Sequence, residues 1–254
     1  MSCQEKPTQD PRTFVSQTSQ MRLPGETFSD AQKRYRDSLS PLNLDAYLNL
    51  HSVKNMATSL EDLDLSSVPE WTSEQLEEGF VLVRDKRFLE DPSRAGLRRS
   101  SWLYPDDGCF ARSDLMVRNL SLEQLPNLKK IFVFGPLEQP TPNHPQGVVY
   151  WWYHTAPIMK VDGNIYIFDP ATGPSGPQLF TEWVEQMAQP FATLEFALCS
   201  PSAYGPMSQC LLGAPLSDQR AQTDQLLLLD LEWSRLESLS RDPAAELGDS
   251  PPWL

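Results

Sequence analysis

Long apolar runs are missing from this 254-residue chain. No stretch of about 18 apolar residues occurs, which excludes a sequence-evident membrane-spanning helix. Cationic residues are also scarce. Lys and Arg number 21 against 34 Asp and Glu, a formal net charge of −13. That balance argues against nucleic acid and an anionic membrane as partners, because both are gripped by basic patches. The four cysteines, at positions 3, 109, 199 and 210, include no C-x-x-C pair and no spacing typical of zinc ligands. Neither a metal nor another cofactor is expected. Cys199 and Cys210 are near enough in sequence to pair in an oxidising compartment, but the polar N-terminal stretch lacks the apolar run of a signal peptide. Reduced thiols in a cytoplasm are the expectation.

Hydrophobic residues make up 40% of the chain, enough for a core, and 23 prolines against 12 glycines point to many irregular connections. Residues 1–21 are rich in Gln, Ser, Thr and Pro and are expected to be disordered. Residues 22–70 read as a helical extension with apolar faces broken at Pro41. A core domain is placed at 71–215, opened by a short helix from Glu74 to Phe80 that Thr72 or Ser73 caps, with Phe80 to Asp85 extended after it. A buried helix over 216–240 and a flexible tail over 241–254 complete the order. His51 and His144 have no evident partners and are read as surface residues.

The segment Tyr104-Pro105-Asp106-Asp107-Gly108-Cys109 carries the strongest chemical signal. It puts a cysteine directly behind a turn and at the start of a helix predicted over Cys109–Leu120, with Asp107 or Gly108 as cap. A helix N-terminus presents unpaired N–H groups and partial positive charge, which favour a thiolate and can receive an oxyanion. His154 and Asp169 follow in a predicted β-hairpin. The order nucleophile, base, orienting carboxylate is the logic of acyl transfer.

The turn Val161-Asp162-Gly163-Asn164 sets the hairpin register. Pairing Val161 with Asn164 places Asp169 opposite Ala156, on the face that also carries His154. His154 and Asp169 are then diagonal neighbours, with Cα atoms roughly 7–8 Å apart, within reach of a carboxylate and an imidazole. The bland alternatives are a core cysteine, a satisfied core histidine and an aspartate that ends a strand.

The runs Ser101 to Arg112, Trp152-Tyr153-His154-Thr155-Ala156-Pro157 and Phe168-Asp169-Pro170 resemble the bacterial protein-glutaminase family, over about residues 75 to 215. The resemblance implies an α+β, transglutaminase-like fold, with an antiparallel sheet packed against the helix that bears Cys109. It also implies deamidation of glutamine side chains in proteins or peptides, with Cys109 as nucleophile, His154 as base and acid, and Asp169 fixing the imidazole. Trp102, Asp107, Trp152 and Tyr153 are the candidate substrate-contacting residues, Trp102 standing also for an unassigned oxyanion donor. The chain departs from the family at Ser113-Asp114, where Ala-His is common. That departure keeps open acyl transfer to or from a small-molecule or carrier-bound substrate by the same residues. A binding module that has kept the fold is the non-enzymatic alternative.

Overall fold

The structure, a computed structural model, describes residues 19–126, 128–188, 193–211 and 218–254. Helix α1 (Phe28–Asp37) starts at Thr27, whose hydroxyl accepts the Asp30 N–H while the Asp30 carboxylate accepts the Thr27 N–H. A short α2 (Pro41–Tyr47) follows, and then α3 (Ser73–Asp85), which Thr72 and Gln75 open with the same reciprocal cap. Phe80 to Asp85 is therefore helical, not extended as the sequence suggested. Leu76, Phe80 and Val83 recur at helical spacing and are buried with Trp71, Met116 and Leu120, so tertiary packing outweighs the strand-like local run.

A two-stranded hairpin, β1 (Leu89–Glu90) with β2 (Leu97–Arg98), precedes α4 (Cys109–Leu122). The main sheet contains β3 (Lys129–Pro140), β4 (Val148–Val161), β5 (Asn164–Ile167), β6 (Gln178–Leu179) and β7 (Glu195–Cys199) in the order β6-β5-β4-β3-β7, with every pairing antiparallel. Helix α4 packs against β4. The fold is thus α+β, with the sheet set against the helix that begins at Cys109. The other face carries Val133, Ala156 and Ile158 against Trp183 of α5 (Phe180–Glu185).

The hairpin register matches its sequence derivation: Val161 pairs with Asn164 and Ile158 with Ile167. Asp162 and Gly163, both at positive φ, form the two-residue turn. A bulge between Phe134 and Leu137 interrupts the pairing of β3 with β4 and shifts the parity of the strand before Tyr153.

Helix α6 (Asp218–Ser238) braces the loop that leads to Cys109. Gln225 Oε1 accepts the Ser101 N–H, Glu232 Oε1 accepts the Leu103 N–H, and Arg235 grips both oxygens of Asp106 at 2.8 Å. From inside the loop, Arg112 Nη1 donates to the carbonyls of Tyr104 and Asp107. Gly108 closes the turn at φ +91°, and a Cβ there would lie 2.1 Å from Leu228 Cδ1, itself buried. Gly108→Ala is expected to destabilise the chain by roughly 1–3 kcal/mol through backbone strain and displacement of Leu228. Urea denaturation with an unchanged slope and a lowered midpoint is the check.

Four expectations are corrected. Residues 19–21 are buried and hydrogen-bonded, whereas 1–18 lie outside the described residues. The tail is packed: α7 (Pro243–Glu246) caps on Asp242, and the Trp253 indole N–H donates to Asp85 at 2.9 Å. Cys199 and Cys210 form a disulfide, their segments held side by side by the Ser200 N–H on Cys210 O. His144 is only 16% exposed and lies 3.7 Å from Asp106, with burial lowering its pKa, so it is not a surface residue.

Candidate active site

Cys109 is the first residue of α4, and its own N–H points out of the helix as one of the donors that have no intrahelical acceptor. That N–H is not empty-handed: it donates to Gln20 Oε1 at 2.9 Å. The other end of the same carboxamide, Gln20 Nε2, lies 3.3 Å from His154 Nδ1. His154 Nε2 in turn meets Asp169 Oδ2 at 2.7 Å. The amide nitrogen can only donate, so Nδ1 carries the lone pair and Nε2 carries the proton that Asp169 receives. Asp169 follows β5 in a turn closed by the N–H groups of Thr172 and Gly173 on its carbonyl.

Asp169 Oδ2 also accepts from the Trp183 indole at 2.9 Å and from the Thr172 hydroxyl at 2.9 Å. Burial alone would raise this carboxyl, but His154 and the Trp183 donor hold its pKa below the ordinary value. The imidazole is fixed by stacking as well, on Trp151 at 4.3 Å between centroids and 11° between planes. Trp151 and His154 share a face despite their opposite sequence parity, close to the register shift between β3 and β4.

The Cys109 thiol is buried, and burial pushes its pKa well above the usual value against the pull of Arg112; Asp107 and Asp169 push it further up. The expected thiolate at a helix start is therefore not the species in this closed arrangement. Desolvation outweighs the helix terminus while a segment of the chain covers the site.

That segment is 19–22. Trp152 N–H donates to Gln20 O at 2.9 Å, its indole donates to Ser19 O at 2.8 Å, and Arg22 N–H donates to Tyr150 O at 2.7 Å. Met21 bridges to Trp151 in antiparallel fashion. The outer edge of β4 is open to this pairing over 150–152 because β5 reaches β4 only from Ile158 onward. Gln20 N–H meets Asp107 Oδ1 at 3.3 Å, and the same oxygen accepts the Gly108 N–H at 2.7 Å. Burial raises the Asp107 pKa to about 6, opposed by these two N–H donors.

A family model described as Glutaminase matches residues 76–187, the span that holds Cys109, His154 and Asp169. Over this span the chain is similar to that family. Similar solved structures include a protein-glutaminase at 24% identity, covering 64% of this chain and 90% of that one with a TM-score of 0.49. A pro-protein-glutaminase follows at 21% identity, covering 85% and 71% with a TM-score of 0.49. The NMR structure of protein-glutaminase from Chryseobacterium proteolyticum stands at 21% identity, 72% and 96% coverage, and a TM-score of 0.46. No curated protein sequence matches.

Around the matched span the structure sorts the other candidates. Asp107 and Trp152 touch the segment in the cleft, and Tyr153 is buried with Cys109, its phenol pKa pushed up by burial first and by the neighbouring Cys109 second. Trp102 does not join them. Its indole donates to Arg84 O, and the ring lies among Phe80, Val83 and Met116, so it ties α3 to α4. Asp114, the departure from the family pattern, faces away from the site's hydrogen bonds and pairs with Arg118 at 2.6 Å and buried Lys130 at 3.1 Å. Gln20, Thr172 and Trp183 were not foreseen, whereas Trp151 belongs to the aromatic run at 151–153 that the sequence offers as a possible groove lining. Among the described residues no group of three or more His, Cys, Asp and Glu converges to hold a metal, and no helix is long and apolar enough to cross a membrane.

Proposed function

We propose that the chain is a cysteine-dependent amidohydrolase that converts glutamine side chains of proteins or peptides to glutamate through a Cys109–His154–Asp169 triad and a thioester. One observation carries this reading: a primary carboxamide sits with its oxygen on the Cys109 N–H and its nitrogen against His154 Nδ1. Those are the places where an oxyanion must be stabilised and where a leaving amine must be protonated. Nδ1 takes the thiol proton as sulfur adds to the amide carbon, then returns it to nitrogen as ammonia departs. Water repeats the sequence on the thioester. The Cys109 N–H contributes as an oxyanion donor, an effect worth roughly 2.7–4 kcal/mol per donor.

The same contacts support a protein substrate. Trp152 N–H, Tyr150 O and Asp107 recognise main-chain groups, so an extended peptide adds to the free edge of β4 with its glutamine directed inward. None of these contacts favours the alternative of a small-molecule acyl substrate. The Cys199–Cys210 disulfide fits an oxidising compartment better than a reducing cytoplasm.

The test is ammonia release from a flexible, glutamine-rich protein, with the mass change of each modified site followed in parallel. Gln20→Ala, which empties the carboxamide position, is expected to release ammonia faster than the unaltered chain. Silence from both would remove the reading.

A further inference from the structure

Gln20 is 0% exposed and all of its polar groups are engaged. Its main-chain N–H and C=O are held by Asp107 and Trp152, its Oε1 by Cys109 N–H, and its Nε2 by His154 Nδ1 with the Pro105 carbonyl at 3.5 Å. The Cδ atom bonded to both ends of that amide is thereby presented to the residue whose own N–H holds the oxygen. A segment that merely plugged the cleft would need bulk there. It would not need a primary amide oriented at both ends, and the neighbours Ser19 and Met21 offer none.

We infer that Gln20 is an intramolecular substrate: the chain deamidates its own residue 20, and the glutamate so formed loosens segment 19–22 from the cleft. This inference rests on the amidohydrolase reading. Sγ of Cys109 bonds to Gln20 Cδ as the thiol proton passes to His154 Nδ1 and the carbonyl electron pair moves onto Oε1 at the Cys109 N–H. The pair returns, the Cδ–Nε2 bond breaks, and nitrogen leaves as ammonia with the proton from His154. Water then adds to the thioester carbon, giving a proton to Nδ1, and the C–S bond breaks to leave a carboxyl group at residue 20 and the thiol restored.

The product does not fit where the amide fitted. The atom replacing Nε2 has no hydrogen to offer His154 Nδ1 or the Pro105 carbonyl once the acid ionises. The new negative charge is also fully buried, with Asp107 and Asp169 bordering the same site. Deamidation converts a satisfied plug into an unsatisfied charged one, so the chemistry that the segment blocks is what dislodges it.

The experiment follows the peptide spanning residue 20 by mass spectrometry in the full-length chain, over time and across a dilution series, in unaltered protein and Cys109→Ala. The expected result is conversion of Gln20 to Glu in the unaltered chain at a rate independent of protein concentration, and complete loss of conversion in Cys109→Ala. Run in 18O-labelled water, the new carboxyl should carry one labelled oxygen from the thioester step. Gln20→Ala is assayed alongside on an external glutamine-rich protein. If it releases ammonia while Gln20 in the unaltered chain stays an amide, the inference falls and the amidohydrolase reading stands, with Gln20 a non-productive blocker. If Gln20 stays intact and no variant acts on the external substrate, both fall. Conversion proportional to protein concentration, or equal in Cys109→Ala, overturns the intramolecular step.

Discussion

Cys109→Ala is expected to abolish ammonia release while leaving the fold and its denaturation midpoint nearly unchanged. The substitution removes one sulfur from a site whose other contacts run through the Cys109 main chain, so Gln20 Oε1 keeps its donor. Removing the nucleophile of a triad lowers kcat by on the order of 10⁶, about 8 kcal/mol of barrier. If the proposed triad operates, the loss should be non-additive with His154→Ala, because base and nucleophile would then act as one unit. A double variant no slower than either single variant is the signature, read with the external protein substrate. Activity surviving in Cys109→Ala would mean that His154 activates water directly and that no thioester forms.

The second large effect concerns stability. Arg235 and Asp106 form a bidentate pair, each side chain 2% exposed, and Arg235 Nη1 also donates to Asn143 O. Arg235→Ala is expected to cost about 3–5 kcal/mol, most of it from leaving the Asp106 carboxylate buried without its partner. Asp106 adjoins Asp107 in the loop that carries Gly108 and Cys109, so activity should fall with stability. Chemical denaturation of Arg235→Ala, Asp106→Asn and the double variant closes the cycle. A double variant more stable than Arg235→Ala alone would show that the orphaned charge is the damage. No loss in any of the three would assign the loop's placement to Glu232 and Gln225 instead.

Part of this site was legible in the sequence because local rules dictate it. The Pro-Asp-Asp-Gly turn sets Cys109 at the first position of α4, and the Asp-Gly turn at 162–163 fixes the hairpin register whatever packs around it. His154 and Asp169 meet for the same reason: a period of two and a tight turn leave one alignment. What escaped was decided by tertiary partners. Ser19 to Met21 shows no periodicity, and its order comes from the free edge of β4, some 130 residues away. Trp183 reaches Asp169 from the helix that follows β6 and packs on the sheet face, which no spacing rule encodes. Phe80 to Asp85 has strand-like composition but belongs to a capped helix whose buried face needs it. The tail reads as Pro-rich punctuation, yet Trp253 anchors it on α3.

The edge of β4 that residues 20–22 occupy has a consequence for what can be modified. A peptide that displaces residues 20–22 from 150–152 must arrive with its own main-chain N–H and C=O unclaimed. A glutamine inside a regular helix has already committed those groups to its neighbours. On the proposed reading, the order in which glutamines of a target are converted therefore ranks them by local unfolding: termini and loop crests first, helical positions only as fast as the helix frays. Conversion rates along a target of known structure would trace its hydrogen-exchange profile, so that the domain acts as a chemical probe of disorder.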